Sequence, residues 1–236
     1  MGPLATCDFF EKIIRMTDAS ADIEHIPILI DCNPRIPDRV KAILYGGEDP
    51  VPEILKSARR LTASGAEVLL MGCNTAYYFY DRVNEELSVP LVNMPYETAM
   101  GAKRSGLRKV GLLATDGTVL SGVYAKELEK AGVEQILPDE TGQKYVMDMI
   151  YNGIKAGNSE IDPSGFIRTV DKMMEDGAEA VILGCTELPI AFHLYKLKVP
   201  FLDPAVFAAE TAIRMAGGKV RALNENTYMS HVGGIR

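Results

Sequence analysis

Two cysteines sit in matching surroundings. Cys73 closes the run Gly65-Ala66-Glu67-Val68-Leu69-Leu70-Met71-Gly72-Cys73, and Cys185 closes Gly177-Ala178-Glu179-Ala180-Val181-Ile182-Leu183-Gly184-Cys185. Each follows a glycine at the end of an apolar run, and each precedes small polar residues, Asn74-Thr75 in one case and Thr186-Glu187 in the other. A lone cysteine at a strand end is ordinarily a small core hydrophobe; the duplicated context makes these two a candidate pair. A thiol can give or accept a proton near neutral pH. The start of a helix lowers a thiol pKa and offers free N–H groups to a carboxylate. Gly72 and Gly184 let the backbone approach a ligand closely. Inverting a stereocentre takes a base on one face and an acid on the other, and two opposed thiols supply both. A disulfide between them is the competing arrangement; it would quench the site and suits an oxidising compartment.

The elements that position these cysteines follow from periodicity. Short apolar runs at 26–32, 68–71, 91–94, 110–114, 180–183 and 201–202 predict buried strands. Segments 52–63, 76–87, 97–103, 122–130, 143–156, 163–176 and 206–216 predict helices. Alternating strands and helices imply parallel βαβ units in an α/β fold, with ligands beyond the carboxyl ends of the strands. The two cysteine runs repeat at an offset of 112 residues, and Val89-Pro90-Leu91-Val92 is answered by Val199-Pro200-Phe201-Leu202. The repeat predicts two pseudo-symmetric lobes, each with a mainly parallel sheet flanked by helices, and a site in the cleft between them. The first lobe takes residues 1–96 plus 205–236 and the second 97–204. The strand at 110–114 has no counterpart in the first half, which leads to the expectation of a late start or of a lobe short of one strand.

Composition excludes several classes. Apolar residues are 47% and charged residues 24% of the 236, as in a globular protein, and the net charge is −7. With no Lys/Arg cluster to offset that charge, nucleic acid and anionic membrane are poor partners. The four cysteines, Cys7, Cys32, Cys73 and Cys185, form no C-x-x-C pair, so neither a zinc site nor a thiol–disulfide oxidoreductase is expected. Cys7 and Cys32 are read as core packing. Few cysteines, no apolar run of about 18 residues and no signal peptide point to the cytoplasm. Met1-Gly2-Pro3-Leu4-Ala5-Thr6 fits a myristoylation pattern that matches often by chance.

Five motifs in register resemble the aspartate racemase branch of the aspartate/glutamate racemase superfamily. They are the opening Met1-Gly2-Pro3-Leu4-Ala5-Thr6, Asn33-Pro34-Arg35-Ile36-Pro37-Asp38-Arg39, Cys73-Asn74-Thr75-Ala76, Gly111-Leu112-Leu113-Ala114-Thr115-Asp116-Gly117-Thr118 and Gly184-Cys185-Thr186-Glu187. The resemblance implies two α/β lobes, an active site between them, no pyridoxal phosphate, no metal and a homodimer. It assigns catalysis to Cys73 and Cys185. Asn74, Thr75, Thr118 and Thr186 match residues that hold the substrate's α-amino and α-carboxylate groups, and Met1 matches a site-lining position.

Arg39 and Lys155, as bare charges, read as solvated surface. In the resemblance both fall where a substrate's distal carboxylate is gripped, Arg by a bidentate fork and Lys as a point charge. Together they favour a dicarboxylic amino acid, aspartate before glutamate. Glu187 has two readings, orienting a thiol or capping the helix start. Two departures stand out. Tyr77 replaces the family's usual His after Cys-Asn-Thr-Ala, and the family's usual Gly-ending strand before Met-Gly-Pro is missing. Both support a rival reading as a catalytically silent amino-acid-binding protein. The tail after Gly217, including His231, matches no motif.

Overall fold

The structure, a computed structural model, describes residues 1–158 and 160–221. In chain order the described elements are α1 (Pro3–Met16), a 3₁₀ turn (Asp22–Glu24), α2 (Arg39–Leu44), α3 (Val51–Ala63), a second 3₁₀ turn (Asn74–Phe79), α4 (Tyr80–Asn84), α5 (Met94–Arg104), β1 (Lys109–Ala114), α6 (Asp116–Ser121), α7 (Val123–Ala131) and β2 (Glu134–Ile136). They continue with α8 (Glu140–Asp148), a π-helical turn (Met149–Lys155), α9 (Ser164–Glu175), β3 (Ala180–Gly184), α10 (Leu188–Leu194), β4 (Phe201–Leu202) and α11 (Pro204–Met215). His231 lies outside the described residues.

The four strands form one parallel sheet in the order β2-β1-β3-β4. Alternation along β1 and β3 sends side chains to opposite faces. Val110, Leu112, Ala114 and Ile182 pack with Tyr124 and Leu128 of α7 and with Phe207 of α11. Leu113, Val181 and Leu183 pack with Phe166 and Val170 of α9 and with Phe192 of α10. Burial on both faces is what makes these strands continuous apolar runs. Helices on both faces of a parallel sheet make an α/β fold, as the sequence predicts.

The first part of the chain is built differently. Its apolar cluster joins Phe9, Ile13 and Met16 of α1, Ile54 and Leu55 of α3, and Ala208 and Ile213 of α11. The strands expected at 68–71 and 91–94 are reduced to one parallel bridge, Leu69↔Leu91, held by Leu69 N–H to Pro90 O at 2.9 Å and Val92 N–H to Leu69 O at 3.0 Å. The strand expected at 26–32 is absent: the segment makes no ladder, and Leu29 and Ile30 are about half exposed, at 49% and 48%. The contrast with β2 supplies the reason. β2 pairs with β1, whereas no described strand lies beside 26–32 to receive its N–H and C=O groups, and an apolar run becomes a strand only with a partner. Cys7 and Cys32, expected in the core, are both exposed.

A buried charge cluster ties α1 to α11. Lys12, 1% exposed, pairs with Asp203 at 2.8 Å and with Asp8 one turn earlier. Asp203 also caps α11, accepting from Ala205 N–H at 3.0 Å. Burial opposes the Lys12 charge, but the two carboxylates outweigh it and its pKa is raised.

Candidate active site

The cavity that collects the chemistry lies at the carboxyl ends of β1 and β3 and has a volume of about 320 Å³. That is the small end of ligand pockets, which run about 300–1,000 Å³, a size that suits a small molecule. Cys73 and Cys185 both line it, and both are free thiols. A larger, more open hollow of about 520 Å³ lies beside it, lined by Asp116, Glu140, Lys144 and Asp148 and by no cysteine.

Each thiol is delivered by local structure. β3 ends at Gly184 and the chain turns at once into Cys185. A Cβ at Gly184 would lie 2.8 Å from Leu112 Cδ1 and 3.0 Å from Ala114 Cβ, so only glycine lets the strand run flush against β1 to this point. Cys73 has extended backbone and precedes the second 3₁₀ turn.

The surroundings of the two sulfurs differ. Cys185 is buried, and its Sγ donates to Glu187 Oε2 at 2.9 Å. Burial, then the adjacent carboxylate, push the Cys185 thiol well up, so it rests protonated. Thr186 Oγ1 donates to the same oxygen at 3.3 Å. Of the two readings of Glu187, the geometry favours the thiol, since its side chain makes no capping bond to α10. Cys73 faces Arg39 instead. Burial pulls the Arg39 pKa down, but Cys73, with Asp38 and Tyr151, pulls it up and the net direction is up.

The two candidate cations reach the cavity by different routes. Arg39 begins α2, and its NH1 donates to Ile36 O at 3.0 Å and Pro37 O at 2.9 Å. Those carbonyls hold the guanidinium in place while its buried Nε has no hydrogen-bond partner. Lys155 sits on the π-helical turn, where a single helix was expected over 143–156. Such turns recur at functional sites because they re-aim side chains. Here the turn brings Tyr151 and Lys155 to the same cavity, with Lys155 Nζ 4.4 Å from the Tyr151 ring centre and 4.0 Å from Glu187 Oε1. Burial lowers the Lys155 pKa, Cys185 and Glu187 raise it, and the rise prevails.

Met1, Asn74, Thr75 and Thr186 also line the cavity, together with Glu187. The Met1 ammonium donates to Asn33 O at 2.7 Å, and burial followed by Arg39 lowers its pKa. Thr118 departs from expectation. It does not line the cavity but stands behind Thr75, its hydroxyl 2.8 Å from that of Thr75 and 3.1 Å from that of Thr115. Thr115, which caps α6, lines the wall instead. Tyr77 does not line the cavity either. Its hydroxyl donates to Val92 O at 3.1 Å and accepts Met71 N–H at 3.4 Å, and burial raises its pKa. Among the described residues no group of three or more His, Cys, Asp or Glu is gathered to hold a metal ion, and no helix is long and apolar enough to cross a membrane.

Residues 1–212 match the family model described as Asp/Glu/Hydantoin racemase. The chain belongs to this family. That makes it an isomerase of the racemase kind that works without pyridoxal phosphate. Among solved structures it is similar to the Picrophilus torridus aspartate racemase, with 30% identity, TM-score 0.82 and coverage of 93% of this chain and 92% of that one. It is 26% identical over 219 residues to the broad specificity amino-acid racemase RacX of Bacillus subtilis, covering 90% of this chain and 93% of the relative. It is 28% identical over 185 residues to a glutamate racemase of Limosilactobacillus reuteri, covering 75% of this chain and 66% of the relative.

Sequence reasoning missed Thr115 and Tyr151, which line the cavity of this racemase. Thr115 stood within a quoted motif, and its place at a strand end was the available signal. Tyr151 lies four residues before Lys155, and four-residue spacing on a helical turn puts both on one side.

Proposed function

We propose that this racemase inverts a small acidic amino acid, aspartate first, by two-base proton transfer between Cys73 and Cys185. The observation that carries the reading is that both thiols line one small cavity together with Arg39 and Lys155. One cysteine, as thiolate, takes the α-proton, and the electron pair left on the carbon is drawn into the α-carboxylate. The other cysteine, as thiol, delivers its proton to the opposite face. The two sulfurs exchange protonation states and nothing else is consumed, so no cofactor or metal is needed. Asn74, Thr75 and Thr186 hold the α-amino and α-carboxylate groups, with Met1 lining the site and Thr118 fixing the Thr75 hydroxyl from behind. Arg39 and Lys155 hold the distal carboxylate, and Glu187 tunes Cys185. The division into a lobe of residues 1–96 plus 205–236 and a lobe of 97–204, homodimerisation and a cytoplasmic location complete the proposal.

The test is incubation of L- and D-aspartate in deuterated water without added pyridoxal phosphate, followed by chiral separation and α-deuterium measurement. The parent gives both inversion and exchange. Cys73→Ala and Cys185→Ala each abolish inversion while retaining at most exchange of one enantiomer. Inversion surviving in both variants overturns the assignment of bases. The relatives that act on glutamate or a broad range of amino acids favour a second reading, which faster turnover of glutamate or of neutral amino acids would establish. Binding of aspartate with no exchange at all would instead establish the silent binding protein.

A further inference from the structure

We propose that Tyr124, which lies outside the cavity, fixes which end of the Asn74 amide the site presents to the substrate's carboxylate, and so acts as a positioning residue. The inference rests on the acidic amino-acid racemase reading. Tyr124 stands in the first turn of α7, fully buried against the sheet. Its hydroxyl donates to Asn74 Oδ1. Asn74, 2% exposed, lines the cavity, and its Nδ2 is buried without a hydrogen-bond partner.

An amide carries an acceptor and a donor of nearly equal size, so sterics alone orient it weakly. In the structure the phenol takes the Oδ1 end. Burial holds the Tyr124 pKa well above the ordinary value, so the group remains an O–H donor. A donor beneath Asn74 selects Oδ1 and leaves Nδ2 as the free N–H. With the amide reversed, a carbonyl oxygen would meet the carboxylate. As the α-proton leaves, negative charge moves onto that carboxylate, so a preset donor acts more strongly in the transition state than in the ground state. The hydroxyl of Tyr124 therefore bears on kcat as well as KM.

The experiment compares the parent, Tyr124→Phe, Asn74→Ala and the double variant, with aspartate as probe, by inversion kinetics and by calorimetric binding. Tyr124→Phe is expected to lower kcat/KM by about ten-fold, less than the roughly 10²–10³ lost when a preorganised donor is removed outright, because here the donor stays but loses its aim. The double variant is expected to be no worse than Asn74→Ala alone, because Tyr124 acts through Asn74. Parental kinetics for Tyr124→Phe, or a double variant that falls by the product of the two single losses, overturns the inference. Asn74→Asp, which keeps an acceptor for the phenol but puts oxygen in place of Nδ2, covers the case in which Tyr124→Phe fails to fold. It is expected to lose aspartate binding while still unfolding in one cooperative step, and parental binding by this variant refutes the orientation. A parent that binds aspartate without exchanging its α-proton removes the racemase reading, while the binding comparison still decides the role of Tyr124.

Discussion

The Cys185 thiol donates to Oε2 of Glu187 at 2.9 Å, while Oε1 of the same carboxylate lies 4.0 Å from Lys155 Nζ. One carboxylate thus links a buried thiol to a cation across the cavity. Removing its charge should ease deprotonation of Cys185, because Glu187 contributes to the upward shift of that thiol. In Glu187→Gln the limb of the kcat/KM profile that reports Cys185 should move to lower pH. Profiles of parent and variant check this, and a coincident limb would detach Glu187 from the thiol.

On the proposed reading Arg39 and Lys155, which both line the cavity, set the preference for a second carboxylate. Arg39→Ala and Lys155→Ala should each lower kcat/KM for aspartate by about ten-fold or more, since hydrogen bonds to charged groups contribute about 1.5–3 kcal/mol. The loss for alanine, which has no distal carboxylate, should be smaller. Initial inversion rates on both amino acids decide the matter. Equal losses would place the cations on the α-carboxylate or on the thiols instead.

Buried groups with raised pKa values make the fold sensitive to alkali. Cys185, Tyr77 and Tyr124 are all shifted up by burial from ordinary values of 9.0 for the thiol and 10.0 for the phenols. Below those values both folded and unfolded chains hold the protons, and the stability contribution is complete. As the pH rises through and beyond them the unfolded chain releases protons first, so stability falls. Melting temperatures from pH 7 to pH 10.5 should decline above about pH 9, the ordinary thiol value. Cys185→Ser should lessen the first part of that decline. A flat profile in the parent would contradict the burial of these groups.

The cluster at Lys12 predicts a large structural effect away from the chemistry. Lys12→Met leaves Asp203 and Asp8 facing each other with the cation gone. Breaking a buried pair by removing one partner costs about 3–5 kcal/mol, and urea unfolding should register a loss of that order. A loss below about 1 kcal/mol, the scale of an exposed ion pair, would mean the cluster is hydrated in solution.

Some of this molecule was legible from local pattern. The apolar runs of β1 and β3 are buried on both faces, so their strand character needs no knowledge of the partner, and both formed where periodicity placed them. The duplicated Gly-Cys endings singled out the two thiols that line one cavity. Tertiary structure decided what depends on a partner distant in sequence. The run at 26–32 has strand composition but no neighbour to complete a ladder. Thr118 belongs to the expected motif yet sits behind Thr75, a matter of a few ångströms between elements that no spacing encodes. The aim of Glu187, the link of Lys155 to it, and the phenol of Tyr124 beneath Asn74 arise in the same way. Periodicity determines which face of an element is buried; which groups meet across that face is set by how the elements pack.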